Sequence, residues 1–266
     1  MKILLVNTLY YPNIIGGAEK SVQLLAEGLV RENHDVVVIS MHENRETIVS
    51  NVNRVKAYYL GNNLIYWPFT DKKKVLPIKL INVLLSNNNN HLASEIEKII
   101  DIEKPDILHS HNLTGISGLV WGKARKKQIP AVHTLRDYGL MCTNSKMYKS
   151  GKNCNKPCFK CETLLFTNKL YTRNVNGLIG ISQHVLNKHL NNNYFPNLQS
   201  KTVIYNMFPR KVTEIVEESF KNSFSVGYLG RVSNYKGIEI LLNAISEIPD
   251  NLTVLIGGEG KNDYKN

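Results

Sequence analysis

The 266-residue chain contains no run of eighteen apolar residues, so no transmembrane helix is expected. Its first residues, MKILLVNTLYYP, lack a charged leader and a small-residue cleavage site. They read as a buried strand, and the expected location is the cytoplasm. Cysteine is absent outside residues 142–161. Acidic residues are scarce, 22 against 33 Lys plus Arg, for a formal net charge of +11. That excess suits phosphate-bearing ligands or an anionic membrane surface. Nucleic acid is not expected as a partner, because no RNA-recognition, zinc-finger or helix-turn-helix signature accompanies the basic clusters. No repeat of solenoid length occurs, and the dinucleotide fingerprint G-x-G-x-x-G is missing.

What is present is an alternation of strands and helices. Apolar strands are expected at residues 3–7, 36–40, 52–60, 107–110, 131–134, 177–182 and 201–205. Helical spacing of apolar side chains marks residues 17–33, 75–85, 91–103, 117–127 and 184–190. Such alternation predicts βαβ units and a parallel sheet covered on both faces. The pattern restarts near Phe224 with a strand, a helix at 237–248 and a strand at 252–257. The fold class expected is therefore α/β, with a Rossmann-like domain over residues 1–210 and the first part of a second over 222–266. About 45 residues are few for an independent half of this kind, so the second domain reads as incomplete.

Two stretches carry anion chemistry. Gly16 and Gly17 stand between the first strand and the first helix. A helix start offers free N–H groups, and glycines there allow close approach of a phosphate. A tight turn with helix–sheet packing explains the pair equally well. In GYLGRVSNYKG, Arg231 and Lys236 follow a strand and precede a helix, which suits a diphosphate; two solvated loop charges are the alternative. His109, His111 and His133 lie on two strands without an i, i+4 pair, which favours packing or hydrogen bonding over metal binding.

The segments IIGGAEKSVQLLAEGL, PDILHSHN, IPAVHTLRDYGLMC, GLIGISQHV, VIYNM and GYLGRVSNYKGIEILLNAI, in this order, resemble glycosyltransferase family 4, with the GT-B fold. The resemblance implies a retaining enzyme that moves a sugar from a nucleotide-diphosphate donor to a glycan or lipid-linked acceptor, in polysaccharide biosynthesis. It implies an acceptor-side N-terminal domain and a donor-binding C-terminal one. By resemblance Gly16, Gly17, Arg231, Lys236, Gly258 and Glu259 bind the donor, and His111, Ser182 and Asn206 line the cleft. Arg231, Lys236, Arg136 and His133 are the implied catalytic set, with no catalytic metal. Many relatives have histidine where this chain has Arg136, which is able to bind a phosphate or sugar hydroxyl but is no general base at neutral pH. The family's late pair of glutamates is missing. Glu239 and Glu247 share its spacing but precede the GGEG loop. The chain thus reads as C-terminally truncated. The alternative is a non-catalytic or split-enzyme subunit completed by a partner chain.

All four cysteines, Cys142, Cys154, Cys158 and Cys161, fall within twenty residues. In a cytosolic protein this clustering favours a metal over disulfides. Four thiolates suit a structural zinc, with an iron–sulfur cluster as the rival. The lysines around them are expected to lower the thiol pKa values. Trp67, Phe69 and the basic loop at residues 72–74 read as an exposed surface for peripheral contact with the inner membrane face or the acceptor.

Overall fold

The computed structural model describes residues 1–70, 72, 74–207, 224–248 and 252–260. It divides into two units, each described by itself. The first holds most of the chain up to residue 207 and opens with β1 (Lys2–Val6), α1 (Gly17–Arg31) and β2 (Asp35–His42). The hairpin β3 (Ile48–Val52) and β4 (Val55–Gly61) follows, then α2 (Leu76–Asn87), α3 (Asn90–Glu103) and β5 (Ile107–Ser110). Next come α4 (Leu119–Lys126) and β6 (Ala131–Leu135), then a two-residue-per-strand hairpin, β7 (Tyr148–Lys149) and β8 (Lys152–Asn153). This hairpin groups with the second unit. The first unit closes with α5 (Phe159–Tyr171), β9 (Gly177–Gly180), α6 (Gln183–Leu190) and β10 (Ser200–Val203). The second unit contributes β11 (Phe224–Leu229), α7 (Ile238–Ser246) and β12 (Leu252–Gly257), with β11 and β12 parallel.

The large sheet runs β10-β9-β6-β5-β1-β2-β4-β3. All its pairs are parallel except β3–β4. Alternation along the strands builds its two cores. Ile3, Leu5, Val36 and Val38 pack with Val22 and Ala26 of α1 on one face. Leu4, Val6, Val37 and Ile39 pack with Ile96 and Ile100 of α3 and Val120 and Trp121 of α4 on the other. Burial on both faces is why the strands read as unbroken apolar runs. The α3 helix starts where Asn89 Oδ1 accepts from the Leu92 N–H at 3.1 Å. It ends at Lys104, whose φ of 48° is left-handed, just before Pro105.

Three sequence-based expectations are corrected. Residues 52–60 are not one strand. Asn53 and Arg54, at φ 50° and 70°, turn the chain into an antiparallel hairpin, so β3 becomes an edge strand. The set of expected helices is short by one, since the cysteine-rich stretch launches the thirteen-residue helix α5. Trp67 and Phe69 are half-buried rather than exposed. Their rings meet edge-on at 5.4 Å, and Trp67 packs on the core. Asp71 and Lys73 of that loop lie outside the described residues.

One buried charge ties the first strands to α3. Glu103 is almost wholly buried and accepts from Lys2 Nζ at 2.7 Å, Lys56 Nζ at 2.6 Å and Tyr58 Oη at 2.5 Å. Burial alone would raise its carboxyl pKa. The three donors outweigh burial and hold it at about 2, against the usual 4.5. Such a depression corresponds to about 3 kcal/mol, so Glu103→Gln is expected to destabilise the chain by about that much in urea unfolding. The carboxylate's contribution is present above pH 4.5 and fades as pH falls toward 2. Lys2 is shifted up from 10.5, first by its bond to Glu103, so its share is complete below that pH and is lost above it. An acid midpoint unchanged in the variant would contradict this assignment.

Candidate active site

The strand order reverses at β1, which has β2 on one side and β5 on the other. Ligands of such sheets bind outside the carboxyl ends of the strands at this switch point. The loops leaving β1 and β5 are fastened to each other there. The Asn112 N–H donates to Asn7 Oδ1 at 2.9 Å, and the Thr8 hydroxyl donates to the Asn112 carbonyl at 3.0 Å.

Gly16 and Gly17 open α1 beside this point. Gly16 has extended backbone, φ −157°, which any residue adopts. A Cβ on Gly16 would meet only the Glu19 carboxylate at ordinary contact distance, and one on Gly17 would meet nothing within 4 Å. Neither glycine is therefore required by a tight turn or by packing in this structure. Glu19 is a residue the sequence reading passed over. Its Oε2 accepts the Gly16 N–H at 2.7 Å and caps the helix. A glutamate three residues after the N-cap is the signal that announces it.

Arg136, His111 and Asn206 converge, although 25 and 70 residues separate Arg136 from its two partners. Arg136 leaves the end of β6, His111 the end of β5, and Asn206 follows β10. Arg136 Nε donates to His111 Nδ1 at 3.3 Å and Nη1 to Asn206 Oδ1 at 2.8 Å. Burial lowers the guanidinium pKa to about 10, so it stays charged at neutral pH. His111 is buried, and its pKa lies well below 6.5 through burial first, then through His109, Arg136 and His133. His109 is pulled to about 4 by burial and by Arg136, and its Nε2 meets the Thr134 hydroxyl at 2.8 Å. These groups line a cavity of about 110 Å³.

His133 is placed differently from the sequence-based expectation. His133 is 3 % exposed and lies inside the core, stacked on Phe195 and edge-on to Trp121. Its Nδ1 meets the Ser110 hydroxyl at 2.9 Å. It does not line the Arg136 cavity, and its position is that of a packing residue. Ser182 is the N-cap of α6, its hydroxyl accepting the Val185 N–H at 3.3 Å.

A second cavity, of about 200 Å³, lies between α2, α5 and the loops after β5 and β6. Its walls carry amides and hydroxyls, among them Asn82, Asn112, Asn168, Ser86 and Thr143, with Tyr66 as the aromatic. Nothing in the sequence pattern marks it, because its residues come from five separate segments.

In the second unit, Arg231 and Lys236 both have exposed side chains on the loop after β11. The loop is pinned to the GGEG loop after β12. The Gly230 N–H donates to the Gly257 carbonyl, and the Val232 N–H to the Glu259 carbonyl, each at 2.9 Å. A Cβ on Gly258 would overlap the Gly230 carbonyl, and its φ of 151° also disfavours a side chain. Gly237, at φ 77°, turns the chain into α7. The structure thus gathers Arg231, Lys236, Gly258 and Glu259 at the carboxyl ends of two neighbouring strands.

None of the four cysteines is in a disulfide, and Cys142 and Cys161 are buried. Cys158 is the N-cap of α5 and Cys161 lies one turn on. Burial first, and then Cys158 and Cys142, raise the Cys161 thiol pKa. This reverses the expectation that nearby lysines lower it. The donor chemistry fits zinc, but among the described residues no three metal-ligating side chains are arranged to hold an ion. Nor is any described helix long and apolar enough to cross a membrane.

The glycosyltransferase family 4 pattern matches residues 15–208. An uncharacterized 42.6 kDa protein in the cps region of Klebsiella pneumoniae is 39 % identical over 239 residues, covering 90 % of this chain and 63 % of that protein. Among solved structures, sucrose-phosphate synthase of Thermosynechococcus elongatus superposes with TM-score 0.67 at 16 % identity, over 98 % of this chain and 63 % of that one. Anabaena HepE, in complex with UDP and glucose, gives 0.55 at 16 % identity, over 100 % and 64 %. The fold is α/β of the GT-B class. The chain belongs to glycosyltransferase family 4. It spans 63 % of the length of the curated relative it matches.

Proposed function

We propose that the chain is the nucleotide-sugar-dependent part of a glycosyltransferase that moves a sugar onto a glycan or lipid-linked acceptor, in polysaccharide biosynthesis and with retention. The observation that carries this reading is the pair Arg231 and Lys236. Both are exposed at the end of β11, beside the left-handed Gly237, and neither has an ion-pair partner among the described residues. As the bond from the anomeric carbon to the donor's phosphate oxygen breaks, negative charge gathers on the departing diphosphate. Two cations held in place beforehand stabilise that charge. The open space over Gly17 leaves the start of α1 free for an anion. UDP and glucose in HepE support a uridine donor as the first to try. The test is release of nucleoside diphosphate from UDP-, GDP- and ADP-sugars in the presence of polyprenyl-linked acceptors. Release dependent on acceptor supports the reading, and none with any donor contradicts it.

The acceptor side is assigned to the cavity walled by Asn82, Asn112 and Asn168, whose amides suit sugar hydroxyls. Peripheral membrane contact at the cytoplasmic face is assigned to the outer side of α2. There Leu76, Ile81, Leu84 and Leu85 are exposed beside Lys72 and Lys79. Sedimentation with anionic vesicles, lost in an Ile81→Glu, Leu85→Glu variant, is the expected outcome. A structural zinc is proposed on the chemistry of the four thiols alone, since no three ligating side chains among the described residues are arranged around an ion. Metal analysis of the purified chain is expected to find zinc that is lost in Cys158→Ser, and zinc-free native protein would overturn it.

A further inference from the structure

The Arg136 guanidinium is in an unusual position. Both of its side-chain bonds go to neutral groups, His111 and Asn206. A guanidinium has five N–H donors. Two acids of this region are bonded elsewhere, and Glu19 favours the guanidinium only at a distance, through its charge. Glu19 Oε2 is bonded to the Gly16 N–H. Asp137 accepts from the Gly139 N–H at 2.7 Å and from Asn112 Nδ2 at 3.3 Å. No ion pair to Arg136 occurs among the described residues. A largely buried cation without an anionic partner is costly, and the cost is recovered when an anion enters.

The cavity around it fits that role. The rest of its wall is uncharged, with the Ser21 and Thr134 hydroxyls set among Leu25, Ile179 and Ile181. At about 110 Å³ it is small for a whole ligand and suits one charged group. His111 adds a second observation. Its Nδ1 accepts from Arg136, which places the ring proton on Nε2, and that buried Nε2 has no partner. A neutral histidine with an unused N–H next to a guanidinium without an ion pair leaves N–H donors to spare in this cluster.

We propose that this cavity is an anion subsite, in which Arg136 and the neutral His111 recognise a carboxylate or phosphoryl group of the ligand. The proposal rests on the transferase reading only for the ligand's identity: a diphosphate oxygen of the donor, or the carboxylate of an acidic sugar. Charge selection by the cavity does not depend on it.

The test uses three probes that differ in charge: glucose, glucose 1-phosphate and glucuronate. Binding to the 266-residue chain is read by ligand-observed NMR at low salt. At least one anion is expected to bind about tenfold more tightly than glucose, since a charge-assisted pair distinguishes them. Preference for glucose 1-phosphate assigns the subsite to a phosphoryl group, and preference for glucuronate assigns it to an acidic sugar. Arg136→Gln is expected to erase the preference, with Arg136→Lys keeping part of it. The Gln variant is also expected to melt no lower than the wild type, because it removes a buried unpaired charge. Anions that bind no better than glucose would overturn the proposal. So would a preference that survives Arg136→Gln, or a Gln variant that melts well below the wild type. Failure of nucleotide release alongside intact anion selectivity would count against the transferase reading alone.

Discussion

Replacing Arg231 and Lys236 together by alanine is expected to lower sugar transfer about a thousandfold without changing the melting temperature. Removing one preorganised donor aimed at developing charge costs about a hundred- to a thousandfold in turnover. Here both cations would meet the same leaving group, so their losses overlap rather than multiply. The fold is spared because both side chains are exposed. The loop that carries them is held by backbone bonds from Gly230 and Val232 to the GGEG loop. Single variants are expected to lose less, with Arg231→Lys retaining more than Arg231→Ala, since lysine keeps the charge but not the fork of donors. Turnover of the double variant within a fewfold of wild type would mean that the pair is only a solvated part of the loop.

Trp121→Ala has the largest expected effect on stability, about 4 kcal/mol, or about 10 °C in melting temperature. Trp121 is fully buried in α4. It lies edge-on to His133 at 5.1 Å and to Phe195 at 6.2 Å. Its Nε1 donates to the Ser110 hydroxyl at 2.8 Å, and that hydroxyl also meets His133 Nδ1 and the Val132 carbonyl. Truncation would open a cavity and remove a donor from a buried network that joins β5, β6 and α4. Trp121→Phe refills most of the space and is expected to cost about half as much. A melting temperature within two or three degrees of wild type for Trp121→Ala would mean that the core collapses around the site.

Much of this architecture can be read from residue order alone. Strands buried on both faces give continuous apolar runs, and helices give their own spacing, so β1, α1, β5 and β12 fall where the pattern puts them. The β3–β4 hairpin escaped because Asn53 and Arg54 turn the chain without glycine or proline. Helix α5 escaped because Phe159, Phe166 and Leu170 are exposed on it and blur its periodicity. Among the candidate residues, the Gly16–Gly17 turn of the first unit and the Arg231–Lys236 loop of the second stand out in the sequence, since each is a short local pattern. The meeting of Arg136 with His111 and Asn206 does not, because it is made by strand order rather than by spacing. His133 shows the converse. It stands beside the readable motif, yet period-2 alternation turns it into the core while Arg136 lies just past the strand end.

The most direct test of the account is nucleotide binding by the 266-residue chain. Its melting temperature is followed with UDP, GDP and ADP in turn, then repeated with the Arg231→Ala, Lys236→Ala variant. A ligand that binds only the native state raises the midpoint, by about 2.7 kcal/mol of stabilisation at a hundred times its Kd. The account predicts a clear rise with one of the three nucleotides and its loss in the variant. No rise with any of them, or one that persists without both cations, would contradict a diphosphate site at the end of β11.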